Sequence, residues 1–279
     1  MVVKKAYEYG RTKLSEHGTE TPDIDARAIL EDILGIEFGK LSLYHDQELS
    51  KEQADIYIQN IEKRCKNMPL SYITNKKEFY SFSFYVNEGV LIPRPETENL
   101  VTAVLENLPD KKDIKIADLC SGSGCIGITI ALKTGFHVQL FELSEEAIEI
   151  SKINCNKLHA KNIKITKMDI LSEELTEGFD VIVSNPPYIP ADDLEYVMPE
   201  VRNFEPEMAL TDNEDGLKFY KRIAELAKKS LNKGGILAVE VGINQHNLVK
   251  DILTKTFPHS KTEVITDYFG VERVLITKL

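Results

Sequence analysis

The chain has 279 residues, 42% hydrophobic and 28% charged, and its 34 lysines and arginines stand against 45 acids for a net charge of −11. These values exclude a collagenous, disordered or membrane-spanning polypeptide, and the length supports one or two domains whose core needs no disulfide or metal staple. The acidic balance disfavours a nucleic-acid partner, because such binding works by neutralising phosphates with basic side chains.

No apolar stretch is long enough to cross a bilayer, and residues 1–11 carry Lys4, Lys5 and Glu8 instead of an apolar signal region, so a cytoplasmic protein without membrane contact is expected. Cys65, Cys120, Cys125 and Cys155 have neither zinc-site nor CxxC spacing, and the six histidines are scattered, so reduced thiols and no metal are expected.

Residues 1–67 read as a small helical domain. A first helix spans 3–17, and a second, capped by Asp23 or Asp25, carries the stripe Ala26, Ile29, Leu30, Ile33 and Leu34 and ends at Gly35. A short turn at 41–44 leads to a helix over 50–66 with Ser50 as its cap and Ala54, Tyr57, Ile58, Ile61 and Cys65 as its apolar face. Residues 68–90 are β-rich and aromatic. They read as a hairpin linker with arms at 72–74 and 79–86 and a turn at Asn75-Lys76-Lys77.

From residue 91 the pattern is α/β. Apolar runs at 114–118, 137–143, 163–170, 180–184 and 235–241 are mostly separated by helix-length stretches, which predicts a doubly wound parallel sheet. Runs at 262–266 and 273–279 are separated only by 267–272, too short for a crossover helix, so they should close the seven-stranded sheet as an antiparallel hairpin.

The first strand-to-helix turn reads Asp118-Leu119-Cys120-Ser121-Gly122-Ser123-Gly124-Cys125-Ile126-Gly127. Gly122, Gly124 and Gly127 satisfy GxGxxG, so a dinucleotide site has to be weighed. Asp118 at the strand end would repel a pyrophosphate but welcome an ammonium. Glu142 ends the next strand, where it can hold ribose hydroxyls, and Asp169 with Ile170 follows the third. Taken singly, Glu142 and Asp169 could be loop acids and Ser144 a helix cap. Together the three acids suit a cationic nucleoside, and S-adenosylmethionine, which leaves as S-adenosylhomocysteine, is such a ligand.

The fourth strand ends in Ser184-Asn185-Pro186-Pro187-Tyr188. Neither proline has an N–H, so the Pro186 carbonyl is free of the ladder, and the Asn185 side chain offers a second acceptor beside it. Two acceptors on one edge match the two hydrogens of a planar –NH₂ group. Tyr188 adds an aromatic face for a planar group or a sulfonium.

Asn185-Pro186-Pro187-Tyr188 after such a loop resembles the class I methyltransferases that act on planar nitrogens. Residues 69–74, Phe79, the run Val90-Leu91-Ile92-Pro93-Arg94-Pro95-Glu96-Thr97-Glu98, residues 205–210, Asp215-Gly216-Leu217 and residues 240–245 narrow this. They resemble the peptide chain release factor glutamine N5-methyltransferase family. The resemblance implies a class I methyltransferase sheet at 91–279 and methyl transfer from S-adenosylmethionine to the glutamine of the Gly-Gly-Gln motif of a class 1 release factor. It implies that Asn185 and Pro186, with Pro187 and Tyr188, hold the substrate amide. It places Asp118, Cys120, Ser121, Gly122, Ser123 and Gly124 at the methionine end, Glu142 at the ribose, Asp169 and Ile170 at the adenine, and Arg94 to Thr97 as a lid.

Residues 1–67 are then expected to dock the protein substrate. Three positions depart from the family pattern: Cys120 stands where the loop usually has glycine, Glu142 where aspartate is commoner, and Asn75 where glycine is usual. A sister enzyme acting on a ribosomal-protein glutamine shares these motifs. A DNA adenine methyltransferase would want a basic cleft, a nicotinamide-dependent dehydrogenase leaves the Asn-Pro-Pro-Tyr run unused, and a silent adaptor leaves Asn185 without a role.

Overall fold

The computed structural model describes every residue except Phe38. The chain divides into two compact units, Met1–Lys76 with Met198–Phe204, and Lys77–Val197 with Glu205–Leu279.

The first unit is built on α1 (Val3–Glu16), α2 (Pro22–Leu34), α3 (Lys51–Cys65) and a single turn, α4 (Leu70–Ile73). Ser50 starts α3 with a reciprocal cap: its hydroxyl accepts from Gln53 N at 3.1 Å, and the Gln53 side chain accepts from Ser50 N at 3.0 Å. Val3, Leu14, Ile29, Leu30, Tyr57 and Ile61 form the core. The cap of α2 differs from expectation. Pro22 opens the helix, Thr21 precedes it, and Asp23 and Asp25 fall inside the first turn. Asp25 turns inward and accepts from buried Arg64 Nε at 2.6 Å.

The second unit begins with a hairpin, β1 (Lys77–Phe79) and β2 (Phe82–Phe84). Its turn is Tyr80-Ser81, both at positive φ, and not Asn75-Lys76-Lys77; of the strand arm read at 72–74, Tyr72 and Ile73 lie in the helical turn α4 and Thr74 caps it. Then come α5 (Glu98–Glu106), β3 (Lys115–Leu119), α6 (Cys125–Thr134), β4 (His137–Glu142), α7 (Glu145–Lys157), β5 (Ile163–Lys167) and β6 (Phe179–Ser184). They are followed by α8 (Pro199–Phe204), α9 (Lys218–Ser230), β7 (Leu231–Glu240), α10 (His246–Thr256), β8 (Lys261–Thr266) and β9 (Glu272–Lys278). Of these, α8 belongs to the first unit, where Glu200 accepts from Arg64 Nη1 at 2.7 Å.

The seven strands run in the order β5-β4-β3-β6-β7-β9-β8. The first five are parallel, and β9 lies antiparallel between β7 and β8, as the short link before it predicted. Side chains alternate between two cores, with Ile116, Val181 and Val183 on one face and Ala117, Leu119 and Ile182 on the other. One rung of the ladder pairs Phe141 with Leu119, Leu119 with Ser184, and Ser184 with Val239. The next residue along each strand is Glu142, Cys120, Asn185 and Glu240. The register therefore brings four chemistry-bearing positions to one line at the carboxyl ends of the strands, where open α/β sheets hold their ligands.

Candidate functional site

A cavity opens at that line. Arg94, Thr97, Cys120, Ser121, Gly122, Ser123, Glu142, Asp169, Ile170, Asn185 and Pro187 all line it. Asp118, Gly124, Pro186 and Tyr188 do not. Asp118 lies fully buried beneath the loop, Pro186 is buried, and Tyr188 packs against the core that holds Tyr220 and Val241. Pro206, Met208 and Ala209 also contribute to the wall. The sequence marks that segment only through its resemblance, since nothing in its composition signals a binding surface.

The glycine loop is shaped by main-chain bonds. Glu142 accepts from the backbone N–H of Gly122 at 2.7 Å, and of Leu143 and Ser144 at 2.8 and 2.9 Å. Its carboxylate thus ties the loop after β3 to the turn after β4. Asp169 accepts from Leu171 N at 2.9 Å and from the Ser172 hydroxyl at 2.8 Å. Gly127 allows α6 to press on the sheet: a Cβ there would fall 2.3 Å from Leu140 Cδ2 and 2.9 Å from Asp118 Oδ2. Cys120 holds φ +58°, a left-handed conformation that costs an L-residue about 1–2 kcal/mol. The family's usual glycine would adopt it freely.

Asp118 Oδ2 accepts from Gly127 N at 2.9 Å, while Oδ1 is buried without a partner. Burial, reinforced by Glu142, pushes its carboxyl up to about 8 against the pull of the Gly127 bond. An orphaned carboxyl oxygen under a glycine loop, with buried Glu142 and half-buried Asp169 at the same cavity, fits a ligand that carries both an ammonium and a nucleoside.

On the other side of the cavity the polar groups are joined by side chains. Asn185 Nδ2 donates to Thr97 Oγ1 at 3.3 Å, which leaves Oδ1 as the acceptor the residue can offer. Glu240 is buried, and burial pushes its carboxyl up to about 7 against the opposing pull of Thr97, Arg273 and Tyr188. Gln245 donates to the Tyr188 carbonyl at 2.8 Å and accepts from Gly242 N at 3.1 Å. A Cβ on Gly242 would approach the Tyr188 ring to 3.0 Å. Residues 240–245 therefore brace the Asn-Pro-Pro-Tyr segment. Arg94 is held by buried Glu205 at 2.6 Å, and Glu205 also accepts from Ile92 N at 3.0 Å.

Residues 5–74 match a family model described as the PrmC N-terminal domain, and residues 97–199 match the methyltransferase small domain. The chain is 36% identical to a release factor glutamine methyltransferase of Bacillus cereus, with 100% of both chains covered. It is 37% identical to one of Clostridium acetobutylicum, over 99% of this chain and 98% of that one. Among solved structures, a methyltransferase from Pyrococcus furiosus matches 82% of this chain and 98% of its own at 17% identity and a TM-score of 0.53, which shows the shared fold.

Proposed function

The chain belongs to the release factor glutamine methyltransferase family, and from that membership we propose that it methylates the side-chain amide nitrogen of the glutamine in the Gly-Gly-Gln motif of a class 1 release factor. The methyl donor is S-adenosylmethionine. The observation that carries the reading to a planar amide is the pairing of Asn185 with Thr97, which leaves the Asn185 carbonyl oxygen as acceptor at the cavity.

Bound S-adenosylmethionine supplies a methyl group on a sulfonium. Glu142 and Asp169 take its ribose and adenine ends, and the loop from Cys120 to Gly124 takes its methionine end. The unpartnered Asp118 Oδ1 supports an ammonium nearby. Asn185 Oδ1 and the Pro186 carbonyl accept the two N–H groups of the substrate glutamine, which turns the nitrogen lone pair toward the methyl. An amide nitrogen is a poor nucleophile, so in-line alignment carries the rate and the proton leaves after transfer. Tyr188 supports this grip from behind through its carbonyl, which accepts from Gln245.

The helical unit, matched over residues 5–74 by the family's N-terminal domain, docks the folded substrate. Among the described residues no helix is long and apolar enough to cross a membrane; the proposed place of action is the cytoplasm, where translation supplies the substrate.

Incubation with labelled S-adenosylmethionine and an intact release factor, followed by mass spectrometry, tests the reading. Label on the Gly-Gly-Gln glutamine supports it. Label that appears only on a ribosomal-protein glutamine or on DNA adenine replaces it. Deletion of residues 1–66 should impair methylation of the folded factor while cofactor affinity persists.

A further inference from the structure

We infer that Glu205 is a specificity-determining residue of the cofactor cavity: by neutralising Arg94 in the wall, it lets the cavity hold the charged methyl donor as readily as the uncharged product. The inference rests on the reading above and deepens it.

S-adenosylmethionine and S-adenosylhomocysteine share the adenine, the ribose, the ammonium and the carboxylate. They differ by one methyl group and by the positive charge on sulfur. A cavity tells them apart electrostatically only through charges that the sulfur feels. Of the side chains that line this cavity, Arg94 alone is basic. A bare guanidinium in the wall would repel the sulfonium and leave the thioether untouched. It would therefore favour the spent product over the donor.

Glu205 answers that charge. Its carboxylate accepts from Arg94 Nη2 at 2.6 Å through one oxygen and from Ile92 N at 3.0 Å through the other. The Glu205 side chain is 1% exposed and that of Arg94 31%, so solvent screens the guanidinium in part and the carboxylate hardly at all. Burial raises the Glu205 carboxyl above its usual range, while Arg94 and the Ile92 N–H draw it back. The two acids in the lining are committed to other partners. Glu142 accepts from three backbone N–H groups, and Asp169 from Leu171 N and the Ser172 hydroxyl. Glu205 is thus the carboxylate that Arg94 has.

The ion pair also joins two stretches of wall that lie far apart in the chain, at residues 91–97 and 206–209. A purely mechanical stitch between them would act on donor and product alike, because their shapes differ by one methyl. Neutralisation acts on the donor alone. The two roles therefore separate in the ratio of the two affinities, from which everything the ligands share cancels.

The experiment measures that ratio by calorimetry in wild type, Glu205→Gln, Arg94→Met and the double variant. Glutamine leaves Arg94 uncompensated. Glu205→Gln should shift the ratio about 3- to 10-fold toward S-adenosylhomocysteine, the size expected of a unit charge felt across a partly screened cavity. Arg94→Met leaves the carboxylate alone in the wall and should shift the ratio by a similar factor toward S-adenosylmethionine. The double variant removes both charges and should return the ratio to within about twofold of wild type. An unmoved ratio in Glu205→Gln overturns the inference, even where both affinities fall together, and so does a double variant that keeps the shift of Glu205→Gln. If Glu205→Gln does not fold, Arg94→Met decides: a ratio that stays put or moves toward the product overturns the inference. Wild-type protein that binds neither ligand refutes the functional reading instead.

Discussion

The two sides of the cavity solve the same problem with different materials. On the β3–β4 side, polar contacts run from carboxylates to backbone N–H groups, as when Glu142 gathers those of Gly122, Leu143 and Ser144. On the β6–β7 side they are made by amide side chains, as when Asn185 donates to the Thr97 hydroxyl and Gln245 bridges the Tyr188 carbonyl and the Gly242 N–H. A pocket made of backbone depends on where the chain can go, so it accepts a foreign side chain such as Cys120 at a conformational cost. A grip made of side chains depends on which atoms are donors, so it depends on residue identity.

Substitutions on either side sharpen this contrast. The largest effect is expected at Asn185. Asn185→Ala removes one of two orienting acceptors and should lower single-turnover rates by about a hundredfold or more while cofactor affinity barely moves. Near-normal rates would break the distinction between the two sides. Gly127→Ala should destabilise the fold by about 1–3 kcal/mol, read from denaturant midpoints, because its Cβ collides with Leu140 and Asp118.

Glu142→Ala tests both jobs of one carboxylate. Cofactor affinity measured by calorimetry should fall by about 1–3 kcal/mol. Calorimetry showing that the wild-type protein binds NAD in preference to S-adenosylmethionine would point to a different ligand. The smallest change runs the other way: Cys120→Gly should stabilise the protein by about 1 kcal/mol, since glycine adopts φ +58° without strain. A thermal shift downward would mean that the cysteine side chain contributes packing that outweighs its strain.

Much of the architecture was legible from local pattern. Apolar runs with helix-length spacers gave the parallel strands, and the short 267–272 link gave the antiparallel end of the sheet. The hairpin turn was misplaced because Tyr80 and Ser81 take positive φ without the glycine or asparagine that signals it. The membership of 198–204 in the helical unit could not be read either. It rests on Arg64 meeting Asp25 and Glu200, partners 39 and 136 residues away, and single-sequence periodicity carries no such information.

At the site, strand-end acids and the Asn-Pro-Pro-Tyr run stood out because their residue types are unusual for their positions. Most of them converge on the cavity, while Asp118, Gly124, Pro186 and Tyr188 are not part of its lining. Sequence distinguishes a residue at a strand end from one elsewhere. Whether its side chain reaches the ligand or braces the one that does depends on register, and register is a property of the paired strands.

The placement of β9 also bears on how the sheet comes into being. Of the seven strands it is the last to be synthesised, yet it sits second from the edge, with Val274, Leu275 and Ile276 fully buried. Until it emerges, β8 has no neighbour and the β7 edge is bare along residues 236–240, the stretch that ends in Glu240. The growing chain therefore exposes an unpaired, strongly apolar strand edge, the kind of surface that nascent proteins leave to chaperones. The strand that closes this edge also settles the β7 backbone beside the cavity, so a chain released too early would lack the sheet edge and a fixed end to β7 together.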